Sequence, residues 1–125
     1  MRLTPRQHIR RTAEFQTVRQ SGRGRECGPF LFQLREVSDS ERPPLRRVGV
    51  IASKRLGNAV QRNRAKRRLR ELFRLYQQRL PANCDLVLVG RRRILEMDWP
   101  TCVQRFCLTA ERLPASARAA EKEPS

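Results

Sequence analysis

The sequence has little of what protein-based catalysis uses. Its single histidine is His8, its acids are scattered, and no D-x-D, H-x-x-x-H or glycine-rich phosphate loop occurs. Cys27, Cys84, Cys102 and Cys107 form no C-x-x-C pair. They are expected to be reduced, buried thiols rather than a disulfide framework or zinc site, and no metal-ligand set is assigned. No apolar run approaches the ~18 residues of a membrane helix. The start, MRLTPRQHIRR, lacks the apolar segment of a secretory signal, so a cytoplasmic location without membrane is expected. A length of 125 residues allows one domain with one modest core and little more.

Acids are also few. Twelve face 28 basic residues, a net charge of +16, and all but Lys54, Lys66 and Lys122 of the basic residues are arginine. Arginine forks onto phosphates and stacks on bases, so this composition points to a nucleic-acid partner. The charge is concentrated: residues 54–74 hold nine basic residues and one acid, Glu71, for +8. A local excess of this kind marks a binding element rather than a general solubilising coat.

Residues 1–8 read as a mobile basic arm and 9–113 as one domain. Thr12 as N-cap and Gly22 as stop predict a helix over 13–20. Alternation predicts a strand at 30–35. After a polar, proline-rich turn at 38–44, a second strand is expected at 48–52, paired with the first as a hairpin. Ala65, Leu69, Leu72, Phe73, Tyr76 and Leu80 form one apolar stripe of a helix over 60–79, with Arg64, Arg67, Arg68, Arg70 and Arg74 opposite. The apolar run 86–89 reads as a central strand buried on both faces. Arg91, Arg92 and Arg93 leave it, as backbone contacts or a solvated strand end. Asp98 caps an amphipathic helix over 99–113, and the tail 114–125 has a disordered composition. The fold class is α+β, an α/β sandwich with one roughly four-stranded sheet and about three helices.

The informative stretch runs from Ser53 to Phe73. A strand ends in Lys54-Arg55, and a Gly57-Asn58 turn then starts the basic helix, whose free N–H groups and dipole suit phosphate. Within it, Arg62-Asn63-Arg64-Ala65-Lys66-Arg67 resembles the R-N-R-x-K-R signature of the bacterial ribonuclease P protein family. Residues 47–60 resemble that family's strand and turn almost position by position. Glu14-Phe15-Gln16 and residues 85–89 extend the resemblance to about 9–113.

The resemblance implies an α/β sandwich with a left-handed crossover, where the general rule favours a right-handed one. It implies that Arg62, Asn63, Arg64, Lys66, Arg67, Arg68 and Arg70 bind a catalytic RNA subunit. It further implies that Phe15, Arg19, Ser53, Lys54 and Arg55 line a cleft for the single-stranded 5′ leader of precursor tRNA. Phe15 also reads as an ordinary core contact. Arg19 departs from the pattern, standing where many members have a second aromatic. The implied activity is removal of the leader by an RNA subunit using Mg²⁺, the protein being a non-catalytic subunit, one per RNA, that needs no cofactor of its own. A ribosomal or other structural RNA-binding protein is the alternative. A DNA reader is disfavoured, because the basic helix follows a strand rather than a helix-turn-helix partner.

Overall fold

A computed structural model describes residues 2–114; residues 115–125, most of the segment expected to be disordered, lie outside them. Four strands, β1 (Arg23–Glu26), β2 (Phe30–Glu36), β3 (Arg46–Ile51) and β4 (Cys84–Gly90), form one sheet in the order β1-β2-β4-β3. Three helices pack on it: α1 (Thr12–Ser21), α2 (Ala59–Tyr76) and α3 (Trp99–Arg112). The α+β architecture is the one expected.

The pairing corrects the expected hairpin. β2 pairs antiparallel with β1 and β4, and β3 pairs only with β4, in parallel. The physical reason lies in β4, all seven of whose residues are buried. Such a strand is stable only between two neighbours, so it inserts between β2 and β3. Parallel pairing of β3 and β4 then demands a crossover, which α2 supplies. β1 was not foreseen: its residues, Arg-Gly-Arg-Glu, are all exposed, so no apolar alternation announces it.

The two faces of the sheet are covered differently. Phe30, Phe32, Leu34, Val48, Leu86 and Leu88 pack against Ala65, Leu69, Leu72 and Phe73 of α2 and Cys102, Phe106 and Ala110 of α3. Phe106 meets the edges of Phe30 and Phe32 with ring centroids 6.3 and 5.5 Å away. On the other face Val87 and Val89 meet Val18 of α1 and Ile9, with Phe15, Leu31 and Ile51 packed around them.

Helix ends follow local chemistry. Asn58 caps α2 by accepting from the Gln61 N–H at 2.9 Å, while the Gln61 side chain accepts from the Asn58 N–H. Asp98 caps α3 as expected. Thr12 is the first residue of α1 rather than its cap; Arg11 occupies that position without a side-chain bond. The residues expected as an arm include the 3-10 turn Pro5–Gln7. Gln7 donates to the Arg46 carbonyl and the Gln77 side chain, and His8 bridges to Val48. All four cysteines are unpaired and buried, and burial pushes the Cys84 thiol up to about 12. No described helix is long and apolar enough to cross a membrane.

β4 carries one ionisable group into the sheet. Asp85, 2% exposed, takes two bonds from Arg47 at 2.8 and 2.9 Å, with Arg42 at 2.8 Å and Arg35 at 3.6 Å. Arg47 also reaches Glu14 of α1, so this carboxylate joins β2, β3, β4, the 38–45 loop and α1. Burial alone would raise the Asp85 pKa, but the bonds from Arg47 and Arg42 outweigh it and hold the group below the usual carboxylate value. A depressed folded pKa stabilises the fold above the unfolded value, near ~3.9, and that contribution is lost as pH falls through the folded value. Asp85→Asn should cost roughly 2–4 kcal/mol at pH 7, because it leaves half-buried guanidiniums without their carboxylate. Urea unfolding from pH 7 to 3 should show a shallower acid loss in the variant than in the parent.

Candidate RNA-binding surfaces

The turn before α2 aims its basic face. Ser53 ends the extended segment, Lys54–Leu56 form a 3-10 turn, and Leu56 is buried as its anchor. Gly57 follows at φ +152°, where an added Cβ would lie 2.0 Å from the Gln61 side-chain oxygen. Glycine there lets the capping box of α2 close, which explains the Gly-Asn pair in the sequence.

Once Ala65, Leu69, Leu72 and Phe73 are buried, helical geometry decides where the arginines go. Asn63, Arg64, Arg67 and Arg70 are exposed, and Arg62 and Lys66 are half-buried. Asn63, Arg67, Arg70 and Arg74 face the N-terminal segment, and with Arg2, Leu3, His8 and Glu71 they line a cleft of about 470 Å³. Glu71, the acid of this stretch, is paired with Arg74. Arg67 and Arg70 have no carboxylate partner among the described residues. Burial, followed by the charges of Arg70 and Arg10, lowers the His8 pKa, so His8 is neutral at pH 7. No local pattern places Arg2 and His8 in this cleft, because only the docking of residues 7–9 beside β3 brings them there.

Arg68 is placed differently. Its guanidinium donates to the Met97 carbonyl at 3.2 Å and lies 5.3 Å from the centre of the Trp99 ring. It ties α2 to the start of α3.

The second surface lies on the α1 face of the sheet. The Phe15 ring sits on Gly49 of β3, so closely that a Cβ there would come 2.4 Å from its Cε1. The ring is half-buried: Phe15 packs on the small cluster and still meets solvent. Arg19, one turn along α1, is exposed. The strand beneath Phe15 continues through Ile51 to Ser53, Lys54 and Arg55, all three exposed. Gln33 and Leu31 share this face by the alternation of β2, and Gln33 Oε1 is buried without a hydrogen-bond partner. Neither was singled out from sequence, although the 30–35 alternation places them together. Among the described residues no three His, Cys, Asp or Glu side chains gather as metal ligands would.

Arg68→Ala should lower stability by about 1–3 kcal/mol through the lost carbonyl bond and ring contact. Thermal or urea unfolding checks this. In RNA titrations the same variant should lose less affinity than Arg64→Ala or Arg67→Ala.

Comparison with known proteins agrees with this geometry. The family model described as Ribonuclease P matches residues 3–113. The ribonuclease P protein component of Desulfovibrio desulfuricans is 38% identical over 98% of this chain and 90% of its own. That of Oleidesulfovibrio alaskensis is 53% identical over a shorter stretch, 41% of each chain. That of Bacillus cereus is 36% identical over 73% of this chain and 76% of its own. Among solved structures, the RNase P protein of Thermotoga maritima superposes with a TM-score of 0.73 at 21% identity, covering 86% of this chain and 98% of that one. The Staphylococcus aureus protein gives 0.65 at 24%, covering 93% and 95%. These two likenesses speak for the fold, while the family match and the full-length relative decide the lineage: the chain belongs to the ribonuclease P protein family.

Proposed function

We propose that this chain is the protein subunit of ribonuclease P. In this reading it binds the catalytic RNA through α2 and holds the 5′ leader of precursor tRNA in the cleft between α1 and the sheet. The RNA then hydrolyses the phosphodiester bond that releases the leader. The observation that carries the reading is the outer face of α2. There Asn63, Arg64, Arg67 and Arg70 stand exposed, and the one acid of the stretch is already paired. Such a face repels itself when alone and is relieved by a polyanion. Arg62 and Lys66 border it, and Arg68 supports it from beneath.

Phe15 offers a ring on which a base can stack without sequence preference, and Arg19, Ser53, Lys54 and Arg55 supply polar and cationic groups beside it. The protein thus lowers repulsion between two polyanions and positions the leader. Mg²⁺ acts in the RNA-containing holoenzyme, with one protein per RNA, in the cytoplasm. This reading sets a DNA-reading role aside, because β3 and a 3-10 turn precede α2 where a helix-turn-helix would place another helix. The names of the relatives favour this reading over that of a ribosomal protein.

Two measurements test it. Arg64→Ala combined with Arg67→Ala should weaken binding to ribonuclease P RNA and reduce the salt slope of log K by about 1.5, with no change in melting temperature. Unchanged affinity and slope would sink the α2 assignment. Phe15→Ala should cost the holoenzyme about 1–3 kcal/mol of affinity for precursor tRNA and nothing for leaderless tRNA. An equal loss on both substrates would return Phe15 to a packing role only.

A further inference from the structure

A second group of arginines lies towards the β1 edge of the sheet, on the face that α3 shares with α2, and the leader cleft does not use it. α2 packs over β3 and β4, whereas this group gathers at the edge strand β1 and on α3. Two clefts share Arg105. One, of about 210 Å³, includes Arg25, Cys27, Leu108 and Arg112; the other, of about 420 Å³, includes Arg93, Met97 and Thr101.

Arg105 is fixed in place by donating to the Cys27 carbonyl at 2.7 Å. Arg93 is held close to it. A Cβ built on Gly28 would lie 2.5 Å from Arg105 Nη1 and 3.3 Å from Arg93 Nη1, so both guanidiniums crowd one point. Arg25 pairs with Phe32 in the sheet register and so projects on the side where α3 lies. Arg105, Leu108 and Arg112 share one face of α3 by their spacing.

Glu26 lines the first cleft, and Glu96 and Asp98 line the second, but each has a partner outside the arginine group: Glu26 is paired with Arg91 and Glu96 with Arg92, and Asp98 caps α3. Arg25, Arg93, Arg105 and Arg112 belong to none of the ion pairs among the described residues. Two adjacent guanidiniums without a carboxylate are costly unless an anion joins them.

We propose that the groove formed by β1, the 3-10 turn Arg92–Leu95 and α3 is a third RNA-binding face, beside α2 and the leader cleft. It takes the phosphodiester backbone of an RNA segment other than the one on α2. The inference rests on the reading of the chain as an RNA-binding subunit. A single free phosphate would need one guanidinium fork. Four arginines along two joined clefts, with exposed Leu108 between Arg105 and Arg112, fit a repeating anion whose sugars touch apolar surface. The Arg91–Arg93 run is thereby divided: Arg91 and Arg92 hold acids, and Arg93 meets the ligand.

The same chemistry can come from the RNA subunit or from the body of precursor tRNA, so the test has two arms. The variant combines Arg25→Ala, Arg93→Ala and Arg112→Ala and keeps Arg105, which supports the Cys27 carbonyl. Its binding to ribonuclease P RNA, and the binding of leaderless tRNA to the assembled holoenzyme, are measured across a salt series. The expected result is a salt slope lower by about 2, with at least tenfold weaker binding near ~0.15 M salt, in one arm. A loss in the first arm assigns the groove to the RNA subunit, and in the second to tRNA. Unchanged slope and affinity in both arms would overturn the proposal. Arg93→Gln alone, at an exposed site with no internal bond, should lower the slope by about 0.8 and guards against a folding defect in the triple variant. The Arg64→Ala, Arg67→Ala pair is run alongside. Its losses should add to those of the groove variant, as for independent sites. If the pair is silent while the groove variant binds less tightly, the α2 assignment fails and the groove stands.

Discussion

Strand β4 has no solvent-facing side, and the rest of the molecule is arranged around covering it. Its neighbours β2 and β3 satisfy its backbone on both edges, α2 and α3 cover one face, and α1 covers the other. Its one charged residue, Asp85, can be buried only because Arg35, Arg42 and Arg47 converge on it. The parallel partnership with β3 brings in a crossover helix, and that helix must turn its apolar stripe inward. The arginines of α2 are therefore held outward by the same packing that stabilises the sheet. The basic face is thus a consequence of the core and not an addition to it.

Charge is sorted by the same arrangement. The carboxylates Glu14, Glu26, Glu41, Glu71, Asp85, Glu96 and Glu111 all sit in ion pairs with arginines. The arginines so occupied link segments of the fold. Most of those left over lie on α2, along the β1–α3 groove, in the N-terminal segment and at Arg19, Arg23 and Arg55. Internal pairing of the scarce acids thus leaves the excess positive charge exposed. That distribution suits a subunit whose work is to bring polyanions together.

Much of this was legible in the sequence because burial leaves a pattern. The stripe of α2, the continuous apolar run of β4, the Asp98 cap and the Gly57-Asn58 turn each have a local physical signature, and each element stands where that signature placed it. The missed features are those with no local signature. β1 is held by its ladder alone and shows no alternation. The placement of β4 between β2 and β3 is a competition among strands that residues 30–52 cannot reveal by themselves. Helical periodicity put Arg68 on the basic side, but Trp99 and Met97, about thirty residues away, draw it into the fold. Likewise, nothing near Phe15 in sequence indicates that Gly49 leaves room for its ring.

If the protein supplies binding and the RNA supplies chemistry, as proposed, reconstitution will show it. The purified chain is mixed with bacterial ribonuclease P RNA and labelled precursor tRNA at a few millimolar Mg²⁺, beside protein-only and RNA-only controls. The division of labour proposed requires cleavage at the mature 5′ end only when both are present. Cleavage at that site by the protein alone would contradict it, as would tight RNA binding without any stimulation.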